Sequence, residues 1–301
     1  MRRFLLKSAV MLGLGLPLHA LAALNVLGCE PEWAALAREI GGDKVSVASA
    51  ATALQDPHRI EARPSLLARA RSADLLVCSG SDLEVGWLPL LINQSGNRRI
   101  QPGGPGYIEA SRLVNRLEIP TAIDRAMGDV HPAGNPHVHL DPRNIAKVAP
   151  ALVERFGQLD AANAGLYRER GKAFLERWTT AVARWEKQGA VLKGASIVVY
   201  HKDFSYLIDW LGMVEAGTLE PKPGIPPTPG HLAELVTQMQ RQPAKAIVYA
   251  AYQDPQPAQF LSQRTKIGST VLPFTVGGTD KASDLFGLFD DTLDRLTATL
   301  K

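Results

Sequence analysis

The chain has 301 residues, 46% of them hydrophobic and 21% charged, an ordinary balance for a globular protein. Its formal charge of +3 owes everything to Arg2, Arg3 and Lys7. The first 22 positions hold no acidic residue, so the remainder is neutral, which gives no electrostatic case for nucleic acid or an anionic membrane surface. Two cysteines, Cys29 and Cys78, make neither a disulfide scaffold nor a cysteine-based zinc site with closely spaced pairs.

In chain order, the basic start is followed by the apolar run AVMLGLGLPLHALA, and Ala20-Leu21-Ala22 fits the small-x-small pattern of a cleavage point. Residues 1–22 therefore read as a secretory signal peptide, since the run is shorter than the ~20 residues that span a bilayer. No later segment is long and apolar enough to cross a membrane, so the mature chain is expected to be soluble. The 23–301 remainder is long enough for two domains. Leu24–Gly28 reads as a strand, 32–40 as a helix stopped by Gly41-Gly42, 45–48 as a second strand, 64–71 as a helix opened by Pro64, and 74–78 as a buried strand. Residues 100–136, with Pro102, Gly103, Gly104, Pro105 and Gly106, read as a long functional loop. Helices follow at 144–156 and at 161–188, where Leu166, Phe174, Trp178, Val182 and Trp185 recur at helical spacing. The second of these has the length and place of a stiff connector between domains.

The strand–helix rhythm then restarts. Strands are expected at 196–200, 213–215, 246–249 and 270–272, and helices at 204–211, 231–241, 257–264 and 284–300, with Pro221–Pro229 a rigid loop. The fold class is therefore α/β, with two βα domains of parallel sheet joined by a long helix. The segments are 1–22 as signal, 23–157 as the N-terminal domain, 158–189 as the connecting helix and 190–301 as the C-terminal domain. No strong internal sequence repeat accompanies the shared rhythm.

Histidine placement carries the chemical signal. His58 follows Gln55-Asp56-Pro57, His137 and His139 lie in Asn135-Pro136-His137-Val138-His139-Leu140-Asp141-Pro142, and His201 ends the apolar run IVVYH. Ligands of parallel α/β sheets bind beyond the carboxyl ends of strands, where His201 stands and where turn-borne His58 and His137 have the reach to join it. Imidazole suits zinc, copper and nickel. Any one of these histidines taken alone is more commonly a hydrogen-bonded structural residue, and position by itself leaves the two readings about even.

The ordered set DPH, NPH-x-x-LDP and YH-x-x-F-x-YL, together with GGDKVSV, the segment DPHRIEARPSLLARARSADLLVCSG followed by Leu83-Glu84, and the NAGLYRERGKAFLERW helix, resembles the periplasmic metal-binding proteins of zinc and manganese ABC importers, the cluster A-I solute-binding proteins. The likeness covers nearly the whole mature chain. It implies a non-enzymatic protein of the periplasm that holds one divalent metal between two βα domains and hands it to an inner-membrane permease. It carries the first three ligands onto His58, His137 and His201. Manganese-binding members place a carboxylate at the third position, so His201 points to Zn(2+) as the cargo. His139 stands where the family usually has tryptophan, an extra imidazole of unassigned role. The family's long His-rich loop is reduced to Gly128–Gly134, where His131 reads as a solvated, dispensable loop residue. The family's usual aspartate position is Val276, so Asp280, past Gly277-Gly278, is the expected fourth ligand, with water, His139 or Asp284 as alternatives. A Cys29–Cys78 disulfide is expected if the strands that these cysteines end are neighbours. The protein is expected to act as a monomer.

Two rival classes stand beside this reading. Three histidines and a water also make a catalytic zinc site, but no H-E-x-x-H or G-x-S-x-G motif is present, and Glu61 and Glu84 read as surface carboxylates rather than bases. An adhesin of the same fold is the second, and the leader lacks the lipobox cysteine of a surface-anchored protein.

Overall fold

The computed structural model describes residues 23–122, 124 and 128–300, so the expected signal segment lies outside the described residues. Each half carries a four-stranded, all-parallel sheet. In the first, β1 (Leu24–Gly28), β2 (Val45–Ser49), β3 (Leu75–Cys78) and β4 (Tyr107–Glu109) lie in the order β2-β1-β3-β4. In the second, β5 (Ser196–Val199), β6 (Val214–Thr218), β7 (Ala246–Ala250) and β8 (Ser269–Leu272) repeat that order as β6-β5-β7-β8. The chain reverses direction across the sheet beside β1 in one half and beside β5 in the other. At such reversals the loops after neighbouring strands splay apart and leave a crevice.

The helices are α1 (Pro31–Gly41), α2 (Pro64–Ser72), α3 (Leu88–Ser95), α4 (Pro142–Leu159), α5 (Ala164–Gly189), α6 (Ser205–Leu211), α7 (Pro229–Arg241), α8 (Gln256–Thr265) and α9 (Leu285–Thr299). Proline opens α1, α2, α4 and α7, where its missing N–H costs nothing. The 26-residue α5 is the spine. Its buried stripe is Tyr167, Phe174, Trp178, Ala181 and Trp185, and it packs on α1 and α4 from one half and on α9 from the other. One continuous core therefore runs through both halves, from Val26 and Leu75 to Val199 and Leu296. The helical period of α5 is the expected one, although Tyr167 occupies the buried position expected for Leu166.

Two elements were not anticipated, α3 and β4. The first interrupts its apolar run with Pro89, Asn93 and Gln94, and the second is three residues long beside a glycine-rich turn. The Cys29–Cys78 disulfide is present, because β1 and β3 are hydrogen-bonded neighbours whose register carries the two cysteines side by side, with Cα atoms 4.8 Å apart. Among the described residues no helix is long and apolar enough to cross a membrane.

Candidate metal centre

His58, His137 and His201 are brought together, each offering a ring nitrogen within 4.8 Å of the others. Their ring centroids are 5.5, 5.6 and 5.9 Å apart. They reach this point from three chain segments, each fixed by a separate device.

His58 sits in a turn made by Asp56, whose Oδ1 accepts from both the His58 backbone N–H (3.0 Å) and the His58 ring (2.7 Å to Nδ1). The Trp87 indole, just ahead of α3, donates to the Pro57 carbonyl at 2.8 Å and clamps the same turn. Gly86 lies so close to the His58 carbonyl that a Cβ there would come within 3.0 Å of it. His137 precedes the turn that leads into α4, and the Asn135 side chain carries it. Asn135 Oδ1 accepts the His137 N–H at 3.0 Å, while its Nδ2 donates to the Lys202 carbonyl at 2.8 Å and to Glu118 at 2.9 Å. The Tyr206 hydroxyl donates to the Asn135 carbonyl at 2.9 Å. The second and third histidine segments are thus bolted to each other across the cleft. His201 lies two residues past the end of β5, and its Nδ1 is 2.7 Å from Glu220 Oε2, beyond the end of the neighbouring β6.

In His58 and His201 the carboxylate holds Nδ1 and leaves Nε2 free to face the common centre, the arrangement that orients imidazoles toward a metal. The Nε2 of His58 and both ring nitrogens of His137 are buried without a hydrogen-bond partner. Buried polar atoms are normally satisfied, so unmet nitrogens converging on one point fit a bound cation. Burial holds the His137 ring well below its usual pKa, with His58 and His201 adding to the effect. Burial also pushes His201 down, but Asp203 and Glu220, with Asp56 behind them, outweigh it and hold that ring at about 9. A cavity of about 230 Å³ opens on His58 and His201, and Asp56, Asp129 and Glu220 line it together with Arg59.

Several expected site residues take other roles. Asp280 is exposed and stands apart from the trio. The turn after Phe274 closes on itself, through Gly278 N–H to the Thr275 carbonyl and Gly277 N–H to the Ala282 carbonyl, and puts Asp280 at its tip. The two glycines do sharpen the chain, as expected, but in the outward direction. Asp284 is spent as the N-cap of α9, accepting from the Gly287 N–H at 2.7 Å. His139 is buried behind the trio, with Nε2 2.9 Å from the Phe274 carbonyl and Nδ1 3.1 Å from Glu32 Oε1. Glu32 Oε2 also accepts from the Thr275 hydroxyl, so His139 and Glu32 bridge α1 to the 274–275 segment of the other half rather than face the trio.

His131 corrects the sequence reading. It is half-buried rather than solvated, its ring lies 5.4 Å from that of His58, and its Nε2 is buried without a partner. Glu84 is not a surface carboxylate either. It is 3% exposed, accepts from the Gly80 N–H, and forms a buried acid pair with Glu30 beside the disulfide. Glu61 is exposed as expected.

The sequence reading missed Asp203, which is fully buried, lies 3.5 Å from His137 Nε2 and is held by the Tyr252 hydroxyl and the Gln253 amide. It also missed the orienting carboxylates Asp56 and Glu220. Asp56 and Asp203 lie two residues from a histidine, so spacing signals them, but Glu220 meets His201 through sheet pairing alone.

Residues 26–299 match the family model described as zinc-uptake complex component A, periplasmic. A metal ABC transporter substrate-binding lipoprotein of Streptococcus cristatus is 23% identical over 266 residues, covering 87% of this chain and 83% of its own. A manganese ABC transporter substrate-binding lipoprotein of Streptococcus gordonii is 23% identical over 290 residues, covering 92% and 89%. Among solved structures, one titled as ZnuA superposes with a TM-score of 0.74 at 20% identity, covering 91% of this chain and 99% of its own. The manganese-bound periplasmic metal-binding protein of Candidatus Liberibacter asiaticus gives 0.73 at 18% identity, covering 92% and 99%. At those identities the superpositions establish the shared fold.

Proposed function

Since the chain belongs to the family of periplasmic zinc-uptake components, substrate-binding proteins of metal ABC importers rather than enzymes, we propose that it captures zinc in the periplasm through His58, His137 and His201 and delivers it to an inner-membrane permease. The observation that carries the reading is the convergence of three imidazoles, those of His58 and His137 with buried nitrogens that have no partner, beside an acid-lined cavity. The rings supply directional nitrogen donors. Asp56 and Glu220 keep Nε2 of two of them aimed inward, and with Asp203 they offset the charge of a dication. Imidazole and a tetrahedral donor set suit zinc, whereas manganese takes oxygen donors in octahedral array.

A relative named for manganese gives the competing cargo, and the nitrogen-rich donor set here argues against it. The test is calorimetric titration of metal-free full chain with zinc, alongside His137→Ala. The proposal expects one zinc per chain, and loss of at least about a hundredfold in affinity in the variant, more than the loss of an orienting partner brings. Full binding by His137→Ala would refute it.

A further inference from the structure

We infer that His131 supplies the fourth ligand, so that the cargo is held by four imidazoles, and that this donor sets the preference for zinc over manganese. The inference rests on the cleft reading above and adds to it a ligand and the basis of selectivity.

The His131 ring packs on His58 at 5.4 Å with a 32° tilt, closer than any two rings of the trio lie to each other. Its Nε2 is buried and has no partner, the same unmet condition found at His58 and His137. A lone buried imidazole nitrogen is a cost that the fold has no structural reason to retain, and the His131 ring carries one beside His58, whose Nε2 is unmet as well. The backbone carbonyl of Ser81 faces the ring and holds it in place. Ser81 is itself in an unusual conformation, the middle of a left-handed run with φ of +76° at Gly80, +52° at Ser81 and +63° at Asp82. Side-chain-bearing residues pay for such φ values, and the cost persists where the surroundings enforce it, often at ligand sites.

The segment that bears His131 is anchored on both halves of the protein. The Asp129 N–H donates to the Pro223 carbonyl, and the Asn135 N–H to the Leu117 carbonyl, each at 2.8 Å. His131 is therefore presented to the centre by a strap across the cleft, and ligation would draw that strap inward, because its nitrogen lies outside the 4.8 Å set of the other three.

The remaining candidates are already committed. Asp280 is exposed, Asp284 caps α9, His139 meets Phe274, and Asp203 accepts from both Tyr252 and Gln253. Four neutral nitrogens leave charge balance to the outer carboxylates Asp56, Asp203 and Glu220, and they give manganese no inner oxygen.

X-ray absorption at the zinc edge of the zinc-loaded full chain counts the imidazoles directly, and needs no variant to fold. Four nitrogens with imidazole outer-shell scattering are expected in the wild type, and three in His131→Ala. In competition titrations, His131→Ala should weaken zinc at least about tenfold while keeping one site per chain. His131→Asp, which offers oxygen, should narrow the zinc-to-manganese ratio. A wild-type spectrum with three imidazoles and an oxygen overturns the inference, and loss of that oxygen signal in Asp203→Asn would name the true ligand. So does unchanged zinc affinity in His131→Ala while His137→Ala fails to bind. If His137→Ala also binds normally, the cleft reading itself has failed.

Discussion

Replacing Glu220 by glutamine tests how the third histidine is prepared for its cargo. Glu220 Oε2 lies 2.7 Å from His201 Nδ1, and both side chains are largely buried. In the metal-free protein the ring is held at about 9. A metal takes the Nε2 lone pair only from the neutral ring. Below about pH 9 a proton therefore competes for this ligand, and at pH 7 the competition is worth about two powers of ten in affinity. The sign follows from the raised pKa: affinity climbs about tenfold per pH unit from 7 to 9 and flattens above. Each zinc bound at pH 7 should release about one proton from this ring, whereas His137, already held neutral by burial, should release none. Glu220→Gln keeps an acceptor for Nδ1 but removes the negative charge. The ring should fall toward its ordinary range, with Asp203 still supporting it. Proton release at pH 8 should drop and the climb between pH 7 and 9 should flatten. At pH 9, where the proton no longer interferes, the variant should bind zinc about 10–100-fold more weakly, because a less basic imidazole is a poorer ligand. Calorimetry in buffers of different ionisation heat reads both quantities. A variant with the wild type's proton release and slope, or a wild type whose affinity is flat between pH 7 and 9, would refute the reasoning.

His139→Ala should cost about 1–3 kcal/mol of stability, since it leaves the Phe274 carbonyl without its buried partner, yet leave one zinc site per chain; denaturant unfolding and metal titration of one sample check both. Glu84→Gln should raise stability above neutral pH. Burial raises both acids of the pair, and the Glu84 and Glu32 charges raise Glu30 further, so the wild type loses stability as pH rises and ionisation is forced, while the amide keeps the Gly80 contact; melting temperatures from pH 6 to 8.5 show it. Reducing Cys29–Cys78 should lower stability by about 4 kcal/mol, the loop-closure value for a 49-residue separation, and thiol titration of unreduced, denatured protein should find none free.

Much of this architecture is legible in the sequence because its signals are local. The α5 stripe, the prolines that open helices and the apolar strand cores each act over a few residues, and the three histidines stand in short motifs that the fold brings to one cleft. What the sequence hides is set by pairing over long distances. Glu220 reaches His201 only because β6 lies beside β5, and Glu32 meets Thr275 across 243 residues. Asp280 is misread for a related reason. Gly277 and Gly278 announce a sharp turn, but its direction is decided by the backbone bonds from Gly277 to Ala282 and from Gly278 to Thr275. His131 looks solvated because its segment is short and polar, and its burial comes from Ser81 and His58, both more than 40 residues earlier.

Zinc capture by the three histidines is tested most directly by competition between zinc and manganese for metal-free full chain at pH 7.5, with bound metal quantified after dialysis. One zinc per chain is expected, retained against a large excess of manganese and lost in His137→Ala. Manganese held as tightly as zinc, or zinc held equally well without His137, would contradict it.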